Sequence, residues 1–349
     1  MALTHIRIVG SGLIGSSIAL ALRSKGVGVT MIDIDPAAQS LAQDLVGPSP
    51  LTQAELTIIA SPVSTIAPVI KAELQQSLNL GFMDISSVKV NPLLEVSLLG
   101  FDMSKFLPTH PMAGREVGGA ESARGDLFQE RAWIVDSTGV NPELFKAGRE
   151  IIEICGSHLI DMPAAEHDKA VALVSHLPQI VSSALAAQLV GAPVEWLDLA
   201  GGGLRDTTRI ASSSPKLWRE IIASNANALT PLLSSIIADL QGLLDNLSTP
   251  ESVESLIATG NQGRALIPGK HGGTARNYTY LPVVIDDKPG QLAALFDECA
   301  DAEVNIEDLS IEHSPEQFTG LITLALSAND AEKLYSHLQS RGWRAHSPR

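Results

Sequence analysis

A chain of 349 residues is too long for one ordinary core, so two or three domains are expected. Its apolar fraction of 45% can bury large cores, and a net charge of −15 with no Lys/Arg cluster argues against nucleic acid or an anionic membrane as partner. Cys155 and Cys299 lie far apart and outside any C-x-x-C pattern, which points to a reducing, cytoplasmic setting and away from a zinc site.

At the start of the chain there is neither a basic n-region with an apolar h-region nor a cleavage site, so no signal peptide is expected. No apolar run reads as long enough to span a bilayer. Ile6–Val9, Val27–Ile32, Leu56–Ala60, Gly81–Asp84 and Ala132–Val135 read as strands, with helices over Ile14–Lys25 and Thr65–Gln76. That alternation predicts a parallel, doubly wound α/β domain of Rossmann type over residues 1–163. Its Ala, Leu, Ile and Val content suits a sheet buried on both faces.

The strand signal then disappears. His167–Val190 and Trp218–Leu247 carry apolar residues at helical spacing with few charges, which predicts an all-α region over 164–259 with a subunit interface. Residues 260–277, rich in Gly, Lys and Arg, read as a linker. Residues 278–349 return to mixed structure: a strand at Leu281–Ile285, a helix at Pro289–Ala300, strands at Asn305–Glu312 and Thr319–Ala325, a helix at Ala331–Arg341 and a closing strand at Trp343–His346. The order β-α-β-β-α-β is that of a ferredoxin-like α+β domain.

Gly10-Ser11-Gly12-Leu13-Ile14-Gly15 follows the first strand and opens the first helix. In such a G-x-G-x-x-G turn the first glycine permits the tight bend, the second leaves room for a pyrophosphate, and the third lets helix and strand pack closely. The amides at the helix start then meet the phosphate charge. Asp33 ends the second strand about 20 residues on, where a carboxylate accepts hydrogen bonds from ribose hydroxyls. It would repel a 2′-phosphate, and no Arg stands at Ile34 to Ala37, so NAD is favoured over NADP. Ser61, after the third strand, completes the expected cofactor set.

Polar groups also cluster in Asp84-Ile-Ser-Ser-Val-Lys89, Pro108-Thr-His-Pro-Met-Ala-Gly114, Glu166-His-Asp168, Ser175-His-Leu-Pro178 and Gly201-Gly-Gly-Leu-Arg-Asp-Thr-Thr-Arg209. With these motifs in this order, the chain resembles the prephenate/arogenate dehydrogenase family along essentially its whole length. Its C-terminal segment resembles an ACT domain, the amino-acid-binding regulatory module. The resemblance implies an NAD-linked oxidative decarboxylation in tyrosine biosynthesis: prephenate would give 4-hydroxyphenylpyruvate, and arogenate would give tyrosine.

By that resemblance His110 is the base that takes the substrate 4-hydroxyl proton, a task suited to a neutral imidazole. Ser87 would hydrogen-bond the same hydroxyl, with Ser86 a competing candidate. Arg209 would grip a carboxylate bidentately, with Arg205 as its structural companion. Asp168 and His176 would lie near the substrate, and His167 is a weaker candidate. Without the resemblance, plainer roles stay open: a strand-end histidine, a helix-capping serine, a surface ion pair, a satisfied core histidine.

Two positions depart from the family pattern. Arg115 stands where many relatives carry a small hydroxyl residue, and Gln179 where many carry a second histidine. Both are expected near the substrate side chain, and a cation at Arg115 would favour prephenate over the ammonium-bearing arogenate.

In the ACT-like segment, Asp287, Pro289 and Gly290 in one turn and Asn305 and Ile306 in another are the expected effector contacts. Tyrosine is the expected inhibitor, acting across a homodimer. No histidine has a partner at metal-ligand spacing, so no metal is expected. Two rivals remain: a β-hydroxyacid-type dehydrogenase, for which Lys169, Lys216 and Asn225 are available but not at the required spacing, and a non-catalytic NAD-binding sensor.

Overall fold

The computed structural model describes residues 3–50, 52–74, 81–114, 117–267, 278–312 and 318–349. These fall into two compact units, Met1–Ala238 and Asp239–Arg349.

The first unit opens with β1 (His5–Val9), α1 (Leu13–Ser24), β2 (Gly28–Ile32), α2 (Pro36–Val46), β3 (Leu56–Ile59), α3 (Ile66–Glu73), β4 (Gly81–Asp84), α4 (Val90–Ser97), β5 (Phe106–Pro111), β6 (Ala132–Val135), α5 (Pro142–Ile154) and β7 (His158–Asp161). The seven strands form one sheet in the order β2-β1-β3-β4-β5-β6-β7. From β2 to β5 every pairing is parallel. The expected all-parallel sheet needs one correction: β6 runs antiparallel to β5, and β7 then pairs parallel to β6. All four residues of β3 and of β4 are buried, as a sheet covered on both faces requires. The strand order reverses direction between β1 and β3, so the crevice for a ligand opens at the carboxyl ends of those two strands.

Helices follow: α6 (Ala164–Val171), α7 (Leu177–Ala187), α8 (Val194–Leu197), α9 (Gly202–Thr208), α10 (Pro215–Ser224), α11 (Ala226–Asp245) and α12 (Pro250–Ala265). Between α6 and α7 the helix widens into a π turn over Ala172–His176. A proline ring in a regular helix collides with the carbonyl four residues back, and the widened turn lies immediately ahead of Pro178.

The expected helix over Trp218–Leu247 is broken at Asn225, where α10 and α11 meet at 97°. The expected linker over 260–277 also changes: α12 continues through Ala265, and residues 268–277 lie outside the described residues. The stretch Ala164–Ala187, 24 residues long, is apolar enough by length and composition to cross a membrane, contrary to the sequence expectation. It nevertheless buries His167, Asp168, His176, Gln179 and Ser182, polar groups that are costly in a bilayer. α6 and α10 are hydrogen-bonded to the strand–helix loops of the sheet, which joins them to the first unit.

The second unit begins within α11, includes α12, and carries β8 (Thr279–Asp286), α13 (Gln291–Asp301), β9 (Asp308–Glu312), β10 (Thr319–Leu326), α14 (Ala328–Ser340) and β11 (Arg344–Ala345). Its four-stranded sheet has the order β11-β8-β10-β9 with antiparallel neighbours throughout. Leu281, Val283, Leu295, Leu324, Leu334 and Leu338 belong to its core, between the sheet and the two helices.

Candidate functional site

At the end of β1 the backbone turns at Gly10 with φ +112°, a conformation L side chains rarely adopt. A Cβ there would come within 2.5 Å of the Ala60 carbonyl at the end of β3, and one at Gly15 within 2.1 Å of the Gly10 carbonyl oxygen. Gly12 differs: a Cβ on it would meet nothing within 4 Å, so this side of the turn is open. Leu13 and Ile14 begin α1 behind it.

The Asp33 carboxylate is held between two backbone donors, Ser11 N–H at 2.6 Å and Asp35 N–H at 2.9 Å. The Ser11 hydroxyl is buried and has no hydrogen-bond partner among the described residues. Ser61, just past β3, accepts a hydrogen bond from Thr65 Oγ1 at 2.8 Å. A crowded glycine bend, an open second glycine, an unpaired buried hydroxyl and a fixed carboxylate fit a dinucleotide.

A second group of polar side chains gathers at the ends of β4 and β5. Asp84 closes β4 and receives hydrogen bonds from Ser86 Oγ (2.5 Å), Thr109 N–H (3.2 Å) and the Lys89 ammonium. Lys89 is buried and also donates to Ser86 Oγ (3.0 Å) and the Thr109 carbonyl (2.6 Å). Trp133 on β6 donates to Thr109 Oγ1 at 2.9 Å, which pins β5 beside β6. This network fixes Thr109, the residue of β5 immediately before His110.

His110 faces His167 of α6. Its Nδ1 lies 2.8 Å from His167 Nε2, with the rings edge to face at 78°. His167 Nδ1 lies 2.7 Å from Asp168 Oδ1. Asp168 in turn accepts from the backbone N–H of Lys89 (2.8 Å) and of Val90 (2.9 Å) at the start of α4. His167 and Asp168 are 1% and 3% exposed. Asn225, at the corner between α10 and α11, donates to the Asp168 carbonyl at 2.8 Å and lies 3.1 Å from His176 Nδ1. The His176 ring packs edge to face on Trp218.

Burial is the largest influence holding His110 well below the usual histidine pKa, and the neighbouring His167, Lys89 and His176 add to it. His176 is pushed down to about 4, chiefly by burial, with Asp168 opposing and His167 assisting. Burial lowers the Lys89 pKa, and Asp84 and Asp168 resist that shift. His110 is therefore a neutral imidazole at working pH, the form that can accept a proton.

The expected site residues do not all converge. His110, Asp168 and His176 share the network just described. The Asp168 carboxylate, expected beside the substrate, is turned instead to His167 and the start of α4. Ser86 is buried in the Asp84–Lys89 network, which leaves Ser87, half-buried in the same bend, as the serine outside it. Gln179 on α7 is buried, bonded to Ser183 Oγ (3.2 Å) and within 3.4 Å of Ser213 Oγ. Arg209 is exposed in a short 3-10 turn packed against α7. Arg115 lies outside the described residues. Two participants exceed the sequence expectation: His167, and Asn225, which no local sequence signal sets apart from the polar residues around it. Lys169 is exposed and paired with Glu166, so the Lys/Asn centre of a β-hydroxyacid-type dehydrogenase is not assembled.

A Rossmann-type nucleotide fold with a buried, histidine-centred network at its carboxyl edge defines a dinucleotide-dependent oxidoreductase. Residues 18–161 match the family model described as prephenate dehydrogenase, nucleotide-binding domain, and residues 163–259 match prephenate dehydrogenase, dimerization domain. The "Probable prephenate dehydrogenase NovF" of Streptomyces niveus is 31% identical, over 97% of this chain and 99% of that protein. The prephenate dehydrogenase of Aquifex aeolicus, crystallised with hydroxyphenyl propionate and NAD+, superposes with TM-score 0.67 at 25% identity, over 76% of this chain and 98% of that one. The Synechocystis arogenate dehydrogenase gives TM-score 0.62 at 27% identity, over 76% of this chain and 100% of that one. The chain belongs to the prephenate dehydrogenase family.

Proposed function

We propose that this enzyme catalyses the NAD-dependent oxidative decarboxylation of prephenate to 4-hydroxyphenylpyruvate. The observation that carries the reading is His110: a neutral imidazole, one ring nitrogen of which is held by His167, on a strand end at the carboxyl edge of a nucleotide-binding sheet. Gly10, Gly12, Gly15, Ser11 and Asp33 would hold the NAD, which supplies the hydride acceptor.

His110 Nε2 takes the proton of the substrate 4-hydroxyl, so that the C–H electron pair at that carbon can leave as hydride. The bond from the ring to its carboxylate then breaks, its electrons complete the aromatic ring, and CO2 departs. His110 returns its proton to the ring oxygen, so the residue ends as it began. Ser87 hydrogen-bonds the same hydroxyl, and Arg209 anchors a carboxylate. General-base assistance of this kind contributes about 10²–10⁴ in rate. Gln179 and Arg115 would face the substrate side chain, and a guanidinium there favours the keto acid of prephenate over the ammonium of arogenate.

The C-terminal unit fits an ACT-like, ferredoxin-like module, supported by its β-α-β-β-α-β order and antiparallel sheet. Asp287 to Gly290 form the turn before α13, Gly290 having φ +88°, and Asn305 and Ile306 precede β9. Tyrosine bound at these turns would oppose substrate binding, and reciprocity requires substrate to oppose tyrosine. A homodimer is supported by the dimerization-domain match and by the exposed apolar residues Val190, Trp196, Leu199 and Ile237 in the first unit. Two free, buried cysteines support a cytoplasmic setting.

The test supplies the purified enzyme with NAD and either prephenate or arogenate. The reading requires NADH with prephenate, less with arogenate, and inhibition by added tyrosine. No NADH with either substrate would refute it.

A further inference from the structure

The contacts of the three-residue chain His110–His167–Asp168 constrain which way its protons point. Asp168 offers only acceptor oxygens: Oδ1 lies 2.8 Å from Lys89 N–H and Oδ2 2.9 Å from Val90 N–H. Those amides begin α4, a helix of eight residues whose N-terminal dipole favours a charged carboxylate. The third contact of Asp168, 2.7 Å from His167 Nδ1, can therefore only be an N–H donated by the histidine. With that as the only proton on the ring, His167 Nε2 is left with a lone pair. It lies 2.8 Å from His110 Nδ1, which must then supply the hydrogen. The remaining nitrogen of His110, Nε2, has no hydrogen-bond partner among the described residues, and by this logic it is unprotonated.

We propose that His167 is a positioning residue: with Asp168 it locks His110 in the Nδ1–H tautomer and so presents a bare Nε2 to the substrate hydroxyl. The proposal rests on His110 being the base. When His110 Nε2 takes the proton, the Nδ1–H bond to His167 strengthens, and the new positive charge is drawn toward the Asp168 carboxylate. The same carboxylate that starts α4 thereby sets the reactivity of a ring on β5, with the burial of His167 keeping water from competing for the ring that orients His110.

Selective ¹⁵N-histidine labelling of the full-length protein, with the His110 signals assigned by their loss in His110→Asn, reads the tautomer directly. The wild type should show His110 and His167 each protonated at Nδ1. His167→Leu should yield a mixture of His110 tautomers and a kcat lower by roughly ten- to a hundredfold, with the KM for prephenate and the Kd for NAD near wild type. His167→Gln places an amide oxygen where Nε2 stood, can accept the same hydrogen, and should restore most of the kcat. A wild-type His110 protonated at Nε2, a His167→Leu enzyme with normal kcat, or equal losses in both variants would overturn the proposal. The tautomer is read without substrate, so failure of prephenate turnover refutes the activity and leaves this measurement to stand separately.

Discussion

Lys89 and Asp84 form an ion pair at the end of β4 with side chains 2% and 0% exposed, beside the strand that carries His110. Two charges taken out of water persist only where the remaining donors and acceptors are satisfied, and here the Ser86 hydroxyl and three backbone groups, Ser86 N–H, Thr109 N–H and the Thr109 carbonyl, do so. Lys89→Met would strand the Asp84 carboxylate and should cost about 3–5 kcal/mol in urea denaturation. Adding Asp84→Asn should recover part of that loss. A single variant as stable as wild type would show that the pair is not what holds this loop.

The glycines of the first turn should separate folding from binding. At Gly15 a methyl group would overlap the Gly10 carbonyl, so Gly15→Ala should destabilise the protein by about 1–3 kcal/mol. At Gly12 there is open space, so Gly12→Ala should melt with the wild type yet bind NAD at least roughly tenfold more weakly, about 1.4 kcal/mol. Calorimetry of both variants against NAD reads the two effects separately.

How much of this was legible in the sequence depends on how local the signal is. The glycine turn, Asp33 and the strand-helix alternation are written within a few residues of one another, and they could be read directly. The chain of contacts behind His110 joins residues 57 positions apart, and nothing about a histidine beside an acid in Glu166-His-Asp168 predicts which ring it will meet. β5 carries no local strand signal, because Pro108 and Pro111 suppress strand propensity. Its antiparallel neighbour β6 supplies the pairing that overrides them. The long helix expected over Trp218–Leu247 has the right periodicity on both sides of Asn225. The break there is set by what Asn225 bonds to, the Asp168 carbonyl and His176, and those partners are distant in sequence.

Acid should weaken the fold through the same histidines. His176 titrates near 4 when folded, below the ordinary value of 6.5, so the unfolded chain binds its proton first as pH falls. Its contribution is complete above about pH 6.5 and is lost on descending toward pH 4, up to about 3 kcal/mol. His110, shifted in the same direction, adds to the slope. His176→Gln should flatten the dependence of unfolding free energy on pH in that window, measured by urea titration at several pH values. An unchanged slope would contradict the assignment.

The most direct test of the central claim is single-turnover and steady-state NADH formation from prephenate by His110→Asn. The account predicts NAD binding and folding like the wild type, with kcat lower by about 10²–10⁴. An asparagine enzyme that turns over prephenate at the wild-type rate would mean that no base acts at position 110.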